Sequence, residues 1–160
     1  MTTPRPRMSL SPKSEQRRPS ARLKRVLSFG AILVLVGGGC GGGGKLGTKA
    51  LSREAKSLQS EAAEGALLAQ DVASGRTTRI YTREQSSALS GAASRTESTL
   101  KAAKTAPALQ SRVRQLAVLA GQLGANLKRL GNASRDEARA LARKLETAGR
   151  ASQKIDGGLP

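Results

Sequence analysis

Residues 107–130 read PALQSRVRQLAVLAGQLGANLKRL. Leu109, Val113, Leu116, Ala120, Leu123, Leu127 and Leu130 recur at alternating steps of four and three, and every one of these positions is apolar. That spacing places them in one stripe along a helix, because a turn takes about 3.6 residues. Pro107 suits the first helical turn, where its missing N–H costs nothing. Gly131-Asn132 marks the stop. The stretch therefore predicts an α-helix that buries one face along its whole length.

The same pattern extends outward on both sides. Upstream, Leu51, Ala55, Leu58, Ala62, Gly65, Ala69 and Val72 repeat the four-three step, and Gly75 follows where a helix would end. Thr82-Arg83-Glu84-Gln85 has the spacing of a capping box, which predicts a helix opening there with Leu89, Ala93, Thr96, Leu100 and Ala103 on its inner face. Downstream, Ser134-Arg135-Asp136-Glu137 has the same spacing and precedes Ala138, Leu141, Leu145, Ala148, Ser152 and Ile155. Asn132-Ala133-Ser134, a glycosylation sequon by pattern, reads here as a helix stop followed by a cap. The expectation is an all-α fold: an antiparallel bundle of about four helices over residues 48–157, joined by short connections. Small alanines at many seam positions favour close helix approach, and the supply of large apolar side chains is modest. Leu67, Leu68, Val118 and Leu119 lie off the stripes, where they widen the core or serve a contact between copies in a homo-oligomer.

Ahead of the helices stands a different kind of sequence. Residues 1–25 hold eight basic side chains against Glu15 alone, with prolines at 4, 6, 12 and 19. Val26–Val36 is an apolar block, closed by Gly37-Gly38-Gly39-Cys40, and Gly41–Gly44 follows. Basic leader, short apolar block and small residues are the parts of a secretory signal, which predicts residues 1–39 as signal peptide and 40–47 as a tether. The uncharged run 26–44 is about 28 Å long as a helix, enough to span a bilayer, so an uncleaved signal anchor is the alternative. Its terminal glycines, each about 1 kcal/mol worse than alanine, weigh against a stable span.

The placement of Cys40 after the apolar block and three small residues resembles the lipobox of bacterial lipoproteins. The resemblance covers about residues 17–44; the family favours leucine three positions before the cysteine, and here that residue is Gly37. It implies cleavage before Cys40 and a lipid on its thiol. Together with an Arg-over-Lys bias and abundant Ala and Gly, the whole is similar to small exported helical proteins of actinobacteria.

Composition limits the chemistry. The chain has no histidine and one cysteine. A Ser-His-Asp arrangement, an intramolecular disulfide and the usual zinc ligand sets are all excluded. Gly37–Gly44 lacks the Gly-Lys-Ser/Thr ending of a phosphate loop. No catalytic constellation and no cofactor site is read, so the expectation is a non-enzyme. Charge gives the only positive pointer. The chain carries 28 Lys+Arg against 11 Asp+Glu, a net +17. Without residues 1–39, 20 basic and 10 acidic side chains remain, a net +10. Such a balance suits anionic wall polymer or lipid headgroups. Gly75–Arg83 reads as the least helical stretch of that region and as a connecting loop. It carries Arg76, Arg79 and Arg83 with Tyr81, the one aromatic after Phe29, and these four are the candidate contacts. Arg135, Arg139 and Arg143 form a second basic stripe, read as a solvated helix face. The resulting expectation is an exported, lipid-anchored helical binding or structural protein at the outer face of the cytoplasmic membrane. Its alternatives are a secreted form, a single-span membrane protein and a basic nucleic-acid-binding protein. The apolar block and the lack of stacking aromatics disfavour nucleic acid.

Overall fold

A computed structural model describes residues 45–159, which belong to one compact unit. The expected signal segment 1–39, Cys40 and Gly41–Gly44 of the expected tether lie outside the described residues. The described residues fold into helices α1 (Thr48–Ser74), α2 (Arg79–Ala102), α3 (Pro107–Leu130) and α4 (Arg135–Gly157). Together the described residues form an all-α four-helix bundle.

Each helix boundary has a local cause. Gly75 ends α1 in the left-handed conformation, φ 68°, and its N–H with that of Arg76 closes the helix on Val72 and Asp71 carbonyls. A side chain there is strained, which is why glycine is the residue that fits. Pro107 is the first residue of α3. Ser134 caps α4 in a full capping box: Glu137 N–H donates to the Ser134 hydroxyl oxygen at 3.3 Å, and Ser134 N–H donates to the Glu137 carboxylate at 2.9 Å. These contacts hold the Glu137 carboxyl below its ordinary pKa, chiefly through the Ser134 backbone N–H.

The start of α2 corrects the sequence reading. Thr78, not Thr82, is the cap; its hydroxyl oxygen accepts from Tyr81 N–H at 3.3 Å. Thr82 already lies in the first turn, donating to the Thr78 carbonyl at 2.9 Å. Hence the inner face of α2 begins earlier, with Thr82 and Ser86 buried ahead of Ala93, Thr96 and Leu100. Isoleucine and tyrosine disfavour a helix only slightly, and Ile80 and Tyr81 sit at its mouth, where the Thr78 cap outweighs them.

The helices run antiparallel. Leu46 N–H donates to the Lys104 carbonyl at 2.8 Å, so the chain enters the bundle beside the α2–α3 connection. At the other end Arg83 reaches Asn132 in the α3–α4 connection. Packing is mainly α1 along α4 and α2 along α3, with narrower contacts joining the two pairs. All seven stripe residues of α3 are buried, Leu116, Ala120, Leu127 and Leu130 completely. Gly65 allows α1 to approach α3 across the centre: a Cβ there would lie 2.5 Å from Leu127 Cδ2. The stripe on α1 fades at its end, where Val72 is only half-buried. Of the four apolar residues placed off the stripes, Leu68 joins the core and Leu119 is half-buried. Leu67 and Val118 remain 62% and 60% exposed.

Candidate functional site

The candidate residues gather at one end of the bundle, where the α1–α2 and α3–α4 connections meet. Only Gly75–Thr78 is a connection; Arg79, Tyr81 and Arg83 are on α2, so the expected loop over Gly75–Arg83 is corrected to a four-residue turn and a helix mouth. Arg76 is held by Asp71, its Nε donating at 3.0 Å and its Nη2 lying 2.9 Å from the same carboxylate oxygen. Arg83 Nη2 donates to Asn132 Oδ1 at 3.2 Å. Arg79 and Arg83 pair with no carboxylate among the described residues. Ile80 is 73% exposed and Tyr81 52%, giving this end an apolar patch among its cations.

Neighbouring chain adds to the charge. Lys128 and Arg129 occupy the last turn of α3, where the helix dipole favours cations. Arg135 lies over Gly75: a Cβ on that glycine would meet Arg135 Nη2 at 2.8 Å. The stripe Arg135, Arg139 and Arg143 is therefore divided by its surroundings. Arg139 is tied to Asp136 at 2.6 Å, and Arg143 faces the α3–α4 groove. Further along α4, Glu146 accepts from Gln70 on α1, and Arg150, four residues on, donates to Thr147.

Two features escaped the sequence reading. Glu61 is 91% buried on α1 (9% exposed), with Ser57 donating to Oε1 at 3.2 Å and Oε2 without a hydrogen-bond partner. Its pKa is pushed up to about 7, first by burial and further by Glu54 and Glu64, against the pull of Ser57 and of Arg95 on α2. A second stripe, Leu58, Glu61, Gly65 and Leu68, carries the signal for it: the glutamate occupies a slot whose neighbours are all buried. The other is an open groove between α3 and α4. Among the described residues no cluster of His, Cys, Asp or Glu is arranged to hold a metal ion, and no helix is long and apolar enough to cross a membrane.

The fold is a four-helix bundle, and the cations beside Ile80 and Tyr81 are its candidate binding site. Comparison with protein-family models, with curated proteins and with solved structures found no match to the chain. The functional reading accordingly rests on the residues themselves.

Proposed function

We propose that the protein is an exported helical binding or structural protein, anchored through a lipid on Cys40 at the outer face of the cytoplasmic membrane, which meets an anionic polymer through the basic end of its bundle. The anchoring half of this reading is supported by the order of basic leader, apolar block and Cys40 in the sequence. The binding half is carried by one observation: Arg76, Arg79, Arg83, Lys128, Arg129 and Arg135 converge at one end, beside exposed Ile80 and Tyr81. Arginine with a partly exposed aromatic ring offers both fixed charge and apolar contact to a flexible polyanion.

The ends of the bundle divide the two anionic partners. Lys45 enters at the α2–α3 end, and α1, at about 1.5 Å per residue, carries the chain about 40 Å to the basic end. A protein held by its N-terminal tether thus presents Arg76, Arg79 and Arg83 away from the point of attachment, while Lys45, Lys49, Lys101 and Lys104 stand at the entry end. For this group of cations that favours wall polymer over the headgroups nearest the anchor.

Mass measurement of the mature N-terminus tests the anchoring directly. Diacylglycerol on Cys40, and release of a Cys40→Ala variant from the membrane fraction, are the expected results. An intact N-terminus with unchanged membrane retention would replace this reading with the signal anchor. Retention of the full chain on immobilised poly(glycerol phosphate) at low salt tests the binding, and equal retention on a neutral polymer would remove it.

A further inference from the structure

Charge on α3 and α4 is sorted by direction. Over its 24 residues α3 contains no aspartate or glutamate. On α4 the acids are occupied away from α3: Glu137 is in the capping box, Asp136 holds Arg139, Glu146 accepts from Gln70 of α1, and Asp156 lies 3.9 Å from Lys56 of α1. What α4 turns toward α3 is Lys154, opposite Arg112 and Arg114, and further along Arg143 and Lys144, opposite Gln122 and Asn126. Between these rims runs a groove with an apolar floor of Val118, Leu119, Ala148, Ala151 and Ile155. One section of about 770 Å³ begins beside Arg112 and Gly158. It shares Leu119, Gln122 and Ala151 with a second section of about 680 Å³ that reaches Ala140 and Asn126. No carboxylate lines either section. From Ala140 to Gly158 the groove is about 27 Å long, the length of a helix of about 18 residues.

We infer that this groove is the docking site for an acidic amphipathic helix of a partner protein. Floor and rim together select the occupant. A second copy of the chain would bring the same cations to the same face, and like charges across an interface repel. A flat lipid surface does not enter a concave groove. A flexible polyanion would satisfy the rim and leave Val118, 60% exposed, and its apolar neighbours in water. An amphipathic helix buries its apolar face on the floor and sets flanking carboxylates against the α4 cations along the groove and against Arg112 and Arg114 at one end of it, the helix-in-groove mode of recognition. The site is separate from the basic end of the bundle and does not depend on Cys40.

The test uses the full chain held in neutral-lipid nanodiscs and a fluorescent 18-residue helical peptide with leucines on one face and glutamates flanking them. Anisotropy is expected to report micromolar binding. Val118→Glu, or Arg143→Glu with Lys144→Glu, should weaken it by about tenfold or more, because each removes floor or rim at the centre of the contact. Arg76→Glu with Arg79→Glu, at the other site, should leave it unchanged. Circular dichroism confirms that these surface variants keep their helix content. Four results would overturn the inference: no binding at low salt, equal binding of a peptide with lysine flanks, equal weakening by the Arg76 and Arg79 reversals, or displacement of the peptide by phosphatidylglycerol vesicles but not by unlabelled peptide.

Discussion

The Ser152 hydroxyl on α4 donates to the main-chain carbonyl of Ala55 on α1 at 2.7 Å, in a site from which solvent is fully excluded. It ties the bundle near the chain entry, where α1 begins and α4 ends. The Ala55 carbonyl also lies within the helix ladder, so the hydroxyl uses its second lone pair. Loss of such a neutral bond costs about 1 kcal/mol. Ser152→Ala should therefore lower the unfolding free energy by about 1 kcal/mol in a denaturant titration, with little change in slope. An unaltered midpoint would mean the bond contributes nothing.

Leu123 sits at the middle of the α3 stripe, 1% exposed. Alanine occupies many neighbouring core positions, among them Ala62, Ala66, Ala117 and Ala120, and the buried apolar set among the described residues holds no aromatic. Short side chains cannot swing into a vacated space. Leu123→Ala should cost about 2–5 kcal/mol, toward the upper end of that range. Val118→Ala on the same helix, at an exposed position, should stay within about 0.5 kcal/mol of the parent. Comparable losses at both sites would contradict the burial difference between them.

Seam positions were legible in the sequence because periodicity reports burial directly: the α3 stripe, the Gly75 stop, Pro107 and the Ser134 box all express strong local rules. The start of α2 was not. Thr82-Arg83-Glu84-Gln85 satisfies the capping pattern by composition, yet Thr78 takes the role, since only a residue with extended backbone can cap and Thr82 is already helical. The charges proved least legible. Whether Arg83 meets Asn132, or Arg135 covers Gly75, depends on which connections share an end, and that is a property of the antiparallel packing rather than of any local pattern.

Glu61 gives the bundle a pH dependence with a definite sign. In the folded chain its carboxyl titrates near 7, raised from an ordinary value of 4.5. Below the lower value both folded and unfolded forms are protonated, and Glu61 imposes no penalty. As pH rises between the two, the unfolded chain ionises first and stability falls; above about 7 the loss levels off. The plateau is on the order of 2 kcal/mol, each pKa unit being worth about 1.4 kcal/mol before relaxation around the ionised carboxylate is allowed for. Glu61→Gln should be more stable than the parent by about that amount at pH 8 and nearly equal to it at pH 4. A difference independent of pH would assign the effect to packing.

At the basic end the arginines are not equivalent, and their surroundings rank them. Asp71 offsets Arg76, and Asp136 offsets Arg139, so part of each charge is already answered within the bundle. Arg79 pairs with no carboxylate among the described residues, and Arg83 is tied only to the neutral Asn132. Both stand beside Ile80 and Tyr81 at the mouth of α2, where a polymer segment gains apolar contact as well as charge. Arg79→Ala and Arg83→Ala should each weaken retention on poly(glycerol phosphate) by about threefold, roughly 0.6 kcal/mol. Arg139→Ala should have a smaller effect, because its charge is already engaged by Asp136 and it lies on α4 rather than at the mouth of α2 with Ile80 and Tyr81. Screening shortens to about 3 Å at 1 M salt, so retention of every variant should disappear before that concentration. A Tyr81→Ala variant separates the two contributions. It should lower retention while leaving the salt dependence of what remains unchanged, and unaltered retention would show that the ring contributes nothing beyond the charges.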